Sequence, residues 1–64
     1  MNTLKALREK NNWTQEDLAR KMKVSRTAIT KWETGECMPK VDKLVLLADL
    51  FKCSVDFLLR DNVS

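Results

Sequence analysis

The chain has 64 residues and a formal net charge of +3, from twelve Lys and Arg against nine Asp and Glu. A chain this short forms one domain at most and buries only about 60% of the surface that its unfolded form exposes. With no His and one Gly, it lacks the commonest general base and cannot form a Gly-rich phosphate loop, so we expect no enzyme and no cofactor.

The cysteines and the apolar runs indicate in which cellular compartment the protein is expected. Cys37 and Cys53 can supply at most half of a structural zinc site, so no metal is expected. No apolar run approaches the roughly 20 residues that span a bilayer, and the charged N-terminus lacks a signal-peptide core. We therefore expect a single domain over residues 1–64 in a reducing cytoplasm, with free thiols and no membrane partner. The alternative for Cys37, in the loop before Pro39, is a redox switch.

The apolar residues recur at helical spacing, and only Gly35 and Pro39 interrupt the chain strongly. A single Gly and a single Pro argue against an all-β fold, which needs frequent turns. The pattern predicts an all-α domain of five short helices at about residues 3–10, 15–22, 26–34, 41–51 and 55–60. Residues 61–64 are expected to fray.

The predicted helices carry signals at their ends. Thr14 and Asp17 have the spacing of a capping box for the second helix, and Ser25 and Ser54 can cap the third and the fifth. Gly35 suits a left-handed cap at the end of the third helix.

Basic residues concentrate around the second and third helices. Five of them fall from Arg20 to Lys31 with no acid among them, and the two helices are joined by only Lys23 and Val24 before the capping Ser25. Two short helices with a tight turn and a basic second helix suit the major groove of DNA, which admits one α-helix. The alternative is an ordinary solvated surface.

Helical periodicity divides the third helix into two faces. Ala28, Ile29 and Trp32 turn inward, and for Trp32 this phase favours the core over base stacking. The outer face is left with Arg26, Thr27, Thr30 and Lys31. Arg can bond guanine through two hydrogen bonds, and Thr offers a hydroxyl and a methyl group. The outer face therefore has the chemistry of a base-reading surface.

Five sequence fragments carry a family resemblance. They are WTQEDLA at 13–19, VSRTAI at 24–29, KWETG at 31–35 with Pro39 after it, LADLF at 47–51 and SVDFLL at 54–59. In this order and spacing, the chain resembles the Cro/CI-type helix-turn-helix family, also called the XRE family, of bacterial and phage repressors. The resemblance covers about residues 3–60. It implies a five-helix, lambda-repressor-like domain that binds operator DNA as a symmetric dimer.

The resemblance also implies DNA contacts by position. Gln15 is similar to a residue that contacts a phosphate and braces the recognition helix. Arg26 and Thr27 match the positions that enter the groove first, and Lys31 matches one further along. With the flanking positions, the implied DNA-binding residues are Gln15, Lys23, Ser25, Arg26, Thr27, Ala28, Thr30, Lys31, Thr34 and Lys40. For Ala28 the alternatives are contact with a thymine methyl group and plain packing.

An ion pair is implied as well. Arg8 and Glu33 match positions that pair in this family, and we expect the pair to tie the first helix to the end of the recognition helix. Removing one partner of such a pair, if it is buried, costs about 3–5 kcal/mol.

At three positions the chain departs from the family pattern. Asn12 and Lys23 stand where Gly is common, and Lys40 stands where Ser or Asp usually caps the fourth helix. We expect left-handed backbone at Lys23, at a cost of roughly 1 kcal/mol, and the loss of a cap worth about as much at Lys40.

Apolar residues outside the core suggest a subunit interface. The core face of the predicted fourth helix consists of Val41, Leu44, Leu47, Ala48 and Phe51. Leu50, Phe57 and Leu59 are left outside such stripes, so we predict a two-fold dimer through them, with Val63 as a further candidate. This dimer would set two recognition helices about 34–36 Å apart on a near-palindromic site. The alternative is that these residues complete the core of a monomer.

The leading hypothesis is a sequence-specific transcriptional regulator, a Cro-like repressor on double-stranded operator DNA. The second is a protein-interaction module, such as an antitoxin-like subunit, which would not need Arg26 and Lys31 exposed. No small-molecule ligand is expected. The sequence leaves open whether the regulator represses or activates, and whether the chain is complete.

Overall fold

The computed structural model describes residues 2–60, which form five helices and, within that range, no strand. The helices are α1 (Asn2–Lys10), α2 (Gln15–Met22), α3 (Arg26–Thr34), α4 (Val41–Phe51) and α5 (Val55–Leu59). This confirms the predicted all-α, five-helix fold. The bounds differ from the predicted ones by one residue at the start of α1 and one at the end of α5. The predictions of fraying at 61–64 and of an interface role for Val63 lie outside the described residues.

Local hydrogen bonds explain where three helices begin. The Thr14 hydroxyl accepts from the Asp17 backbone N–H at 3.0 Å, and the Thr14 N–H donates to Asp17 Oδ2 at 2.9 Å, which confirms the capping box. The bond from the Thr14 backbone lowers the pKa of the Asp17 carboxyl. The hydroxyls of Ser25 and Ser54 accept from backbone N–H groups three residues on, at 3.1 and 3.0 Å. Lys40 provides no such bond to α4.

Three of the helices end at a residue with a left-handed backbone conformation. Gly35 has φ 83° after α3, Lys23 has φ 57° after α2, and Lys52 has φ 55° after α4. Asn12, in the connection before α2, is left-handed as well, with φ 59°. The conformations of Gly35 and Lys23 were expected from the sequence, whereas that of Lys52 was not. An L-residue with a Cβ adopts this conformation at a cost of roughly 1–2 kcal/mol.

The core draws on every helix. Five side chains are fully buried, one from each helix: Leu4, Leu18, Ile29, Leu47 and Leu58. Trp32 is also buried, as its phase predicted, and the half-buried Trp13 lies with its ring centroid 5.4 Å from that of Phe51. Because no single helix holds a core of its own, α3 keeps its position only when all five pack together.

One core prediction is wrong. Val41 was expected on the buried stripe of α4, but 76% of its surface is exposed. Leu44, Leu47 and Ala48 on the same stripe are buried. Val41 is the first residue of α4 and has no preceding turn of that helix beside it, so periodicity alone overestimates its burial. No helix among residues 2–60 is long and apolar enough to cross a membrane.

Candidate nucleic-acid interface

The outer face of α3 is polar and exposed. Its inner residues, Ile29, Trp32 and Glu33, are buried. The exposed residues of the helix are Arg26, Thr27, Thr30, Lys31 and Thr34. Ala28 is half-buried and packs against the core, so both of its alternative roles remain compatible with its position. Lys23, Ser25 and Lys40, which flank this helix in the chain, are exposed.

A buried ion pair anchors α3 to α1. Arg8 Nε donates to Glu33 Oε2 at 2.6 Å, and Arg8 Nη2 donates to Glu33 Oε1 at 3.2 Å. Arg8 Nη1 also donates to the carbonyl oxygen of Trp13 at 2.8 Å. Both charged residues are 8% exposed. The hydrogen bonds to Glu33 raise the pKa of Arg8 above its already high ordinary value, so the guanidinium is charged at any physiological pH.

Gln15 connects this buried pair to the surface. Its Nε2 donates to Glu33 Oε1 at 3.1 Å, while its Oε1 accepts from the Thr30 hydroxyl at 3.2 Å. Arg26 Nε lies 3.5 Å from the same oxygen. The first residue of α2 thus contacts both the inner acid and two outer residues of α3, which fixes α3 relative to α2.

A second contact to Arg26 comes from Glu16, a residue that the sequence did not single out. Glu16 Oε1 lies 3.4 Å from Arg26 Nη1, and both side chains are largely exposed. No local pattern in the sequence predicts this pair, because the crossing of α2 and α3 brings together residues ten apart in the chain.

The basic cluster read from the sequence is divided in the structure. Arg20 forms an ion pair with Asp17 on α2, and Lys21 Nζ lies over the Trp13 ring, 4.6 Å from its centroid. These two cations have partners within the protein. Arg26 pairs with Glu16, so within residues 2–60 Lys23 and Lys31 are the cations of this run without an acidic or aromatic partner.

The predicted dimer residues differ in exposure. Leu50 and Leu59 are half-buried and pack against the core, so they are less exposed than the sequence suggested. Phe57 is 40% exposed, with the Arg60 guanidinium 5.9 Å from its ring centroid. Both Leu50 and Leu59 therefore contribute to the core of one chain whatever else they contact.

Comparison with known proteins identifies relatives over most of the chain. A family model described as helix-turn-helix matches residues 4–58. The chain is 45% identical over 56 residues to the HTH-type transcriptional activator BcrR of Enterococcus faecalis, covering 88% of this chain and 28% of BcrR. It is 34% identical over 61 residues to repressor protein C2 of Salmonella phage P22, covering 95% of this chain and 28% of C2.

A third relative is the HTH-type transcriptional regulator ImmR of Bacillus subtilis, with 34% identity over 62 residues, 95% of this chain and 49% of ImmR. The chain thus spans between 28% and 49% of the length of these relatives. A comparison with solved structures found no match. The relatives are named as regulators of transcription, and the matched region contains all the residues that build the α2–α3 surface. On these grounds the chain belongs to the Cro/CI-type, or XRE, helix-turn-helix family of DNA-binding transcriptional regulators.

Proposed function

We propose that the chain binds a near-palindromic DNA operator as a homodimer and represses transcription in the manner of a Cro-like repressor. The observation that carries the proposal is the division of α3, whose inner residues Ile29, Trp32 and Glu33 are buried while its outer residues are polar, basic and exposed. A helix held this firmly can present side chains to a major groove without reorganisation. Such a regulator works where the chromosome is, which places it in the cytoplasm.

The roles within this surface follow from position and chemistry. Arg26 and Thr27, in the first turn of α3, are proposed to reach base edges, with Thr30, Lys31 and in one alternative Ala28 further along. A guanidinium suits guanine, and a threonine methyl group suits thymine. The proposed contacts to the DNA backbone are made by Gln15, Lys23, Ser25, Thr34 and Lys40. Such backbone contacts position the protein and carry no sequence information themselves.

Repression is proposed because it requires little beyond occupancy of the operator. A protein that covers a promoter blocks the polymerase without any contact to it, and one relative is named as a repressor. Another relative, BcrR, is named as an activator, so the α2–α3 surface is compatible with either outcome. A reporter gene fused to a promoter that carries the selected operator decides the direction, because repression lowers its expression when the chain is present.

Sequence preference tests the base-reading role of Arg26. We expect Arg26→Ala to relax the preference at one base position in each half-site, by about 1–3 kcal/mol of discrimination. The measurement is selection from duplexes with a randomised centre, followed by fluorescence anisotropy at several salt concentrations. The wild-type affinity should fall steeply with salt, because phosphate neutralisation releases counterions.

The matched control is Arg20→Ala, which removes the same charge from a residue that pairs with Asp17. It should leave the selected sequence unchanged. If Arg26→Ala selects the same sequence as wild type, the base-reading assignment is wrong. A wild-type chain whose weak binding hardly depends on salt contradicts the whole proposal and favours the protein-interaction module.

A further inference from the structure

Glu16 is an acidic residue at the edge of the proposed DNA-binding surface. It is the second residue of α2, and its side chain is 66% exposed. A carboxylate here repels DNA phosphates, which opposes the proposed function unless the residue serves another purpose. Its one close contact among the residues that the structure describes is with Arg26, the proposed base-reading residue of α3.

Stability does not account for this residue. An ion pair between side chains as exposed as Glu16 and Arg26 contributes little to folding. Glu16 and Asp17 both lie in the first turn of α2, where an acid interacts favourably with the helix dipole, but this small stabilisation needs no contact with α3. The contact with Arg26 is therefore the feature that distinguishes Glu16.

Two long contacts turn the Arg26 guanidinium toward α2. Its Nε faces the amide oxygen of Gln15 at 3.5 Å, and its Nη1 faces the carboxylate of Glu16 at 3.4 Å. A guanidinium carries five N–H donors in a planar fork. Within the described part of the chain, the Nη2 group has no partner, so it is available to a base edge while the other contacts persist.

We propose that Glu16 is a specificity-determining positioning residue, which holds the Arg26 side chain against α2. This inference rests on the proposed function. At a random DNA sequence, a phosphate must compete with the Glu16 carboxylate for the guanidinium, and the two anions repel each other. At the correct site, Arg26 reaches guanine through its remaining donors without leaving Glu16. Glu16 therefore weakens binding to random DNA more than binding to the operator.

The first test uses the free protein. The 15N order parameter of Arg26 Nε, measured by NMR relaxation, should fall in Glu16→Gln, because a neutral amide holds the guanidinium less firmly. Glu9→Gln is the matched control, since it removes the same charge from an exposed position on α1. An unchanged order parameter in Glu16→Gln, or an equal fall in Glu9→Gln, overturns the positioning role.

The second test compares two DNA probes of about 30 base pairs, long enough for two half-sites one helical turn apart. One carries the sequence selected by the wild-type chain, and the other is random. Beyond any effect of Glu9→Gln, Glu16→Gln should tighten binding to the random duplex by about two- to fivefold and to the selected duplex by less. The affinity for the selected duplex divided by that for the random duplex therefore falls. In a chain that already carries Arg26→Ala, adding Glu16→Gln should leave this ratio unchanged.

Two results overturn the inference: equal shifts on both duplexes, which indicate a simple charge effect, or a fall in the ratio that persists in the Arg26→Ala background. Failure of the proposed function looks different, because the wild-type chain then selects no sequence at all. The order parameters of Arg26 are measured without DNA, so they still decide whether Glu16 positions this side chain.

Discussion

Glu33 is the residue on which the position of the recognition helix depends most directly. It lies buried on α3, with its two oxygens occupied by Arg8 and Gln15. A buried carboxylate is tolerated only when a cation and hydrogen bonds compensate for the lost hydration. The network therefore stabilises α3 while allowing an acid on the helix that is proposed to approach DNA.

Removing one partner of this pair should destabilise the fold strongly. We expect Arg8→Ala to lower the free energy of unfolding by about 3–5 kcal/mol, because it removes the cation and the two hydrogen bonds that compensate the buried Glu33 carboxylate. Urea unfolding followed by circular dichroism measures the loss. The double variant Arg8→Met with Glu33→Leu should recover much of it, since two apolar residues leave no uncompensated charge. A loss below about 1 kcal/mol in Arg8→Ala, as for exposed pairs, contradicts this view.

At the scale of elements, the turn between α2 and α3 sets how the two helices cross. Lys23 has φ 57°, and its N–H reaches the Arg20 carbonyl oxygen at 3.2 Å. The next N–H, of Val24, donates to the Ala19 carbonyl oxygen at 3.0 Å. These bonds satisfy carbonyl groups at the end of α2 and reverse the chain within two residues. This turn requires a left-handed backbone conformation at Lys23, which costs free energy because the residue has a Cβ.

Glycine at this position should relieve that strain. We expect Lys23→Gly to raise the free energy of unfolding by about 0.5–1 kcal/mol, after allowing for the greater freedom of Gly in the unfolded chain. Lys52→Gly, at φ 55°, should act in the same direction. Lys5→Gly, inside α1, should instead lower stability by about 1 kcal/mol. Thermal unfolding of the three variants measures these changes, and destabilisation by Lys23→Gly contradicts the argument.

At the scale of the whole molecule, the question is which surface would join two copies in the proposed dimer. The larger exposed apolar residues among those described are Met38, Val41, Val45, Leu46 and Phe57. Phe57 is the member of the predicted interface that belongs to this set, whereas Leu50 and Leu59 are half-buried against the core. The predicted dimer therefore relies on Phe57 for most of its accessible apolar surface.

A charge at Phe57 should abolish the proposed dimer. We expect Phe57→Glu to sediment as a monomer in analytical ultracentrifugation at concentrations where the wild type sediments as a dimer, because a buried unpaired carboxylate is disfavoured at an interface. Val41→Glu is the control, since Val41 is more exposed but lies outside the predicted interface. If Val41→Glu separates the subunits and Phe57→Glu does not, the interface lies on α4 instead.

The sequence by itself determined the helices and their starts. Thr14, Ser25 and Ser54 each bond an N–H three residues away, so the signal for a helix start lies in adjacent residues and survives without any tertiary contact. The Arg8–Glu33 pair could also be predicted, but from the family resemblance and not from the spacing of the two residues. Residues 25 apart in the chain carry no local signal of contact.

Only the tertiary structure decided how Arg26 is paired. Arg20 pairs with Asp17, three residues earlier on the same helix, a contact that local spacing allows, and Lys21 lies over the Trp13 ring. Arg26 keeps its exposure but is joined by Glu16 from another helix. The physical reason is that a side chain's partners depend on how helices cross, while composition and periodicity describe one helix at a time. The clustering of basic residues therefore indicated a nucleic-acid ligand, and packing decided which partners those residues have within the protein.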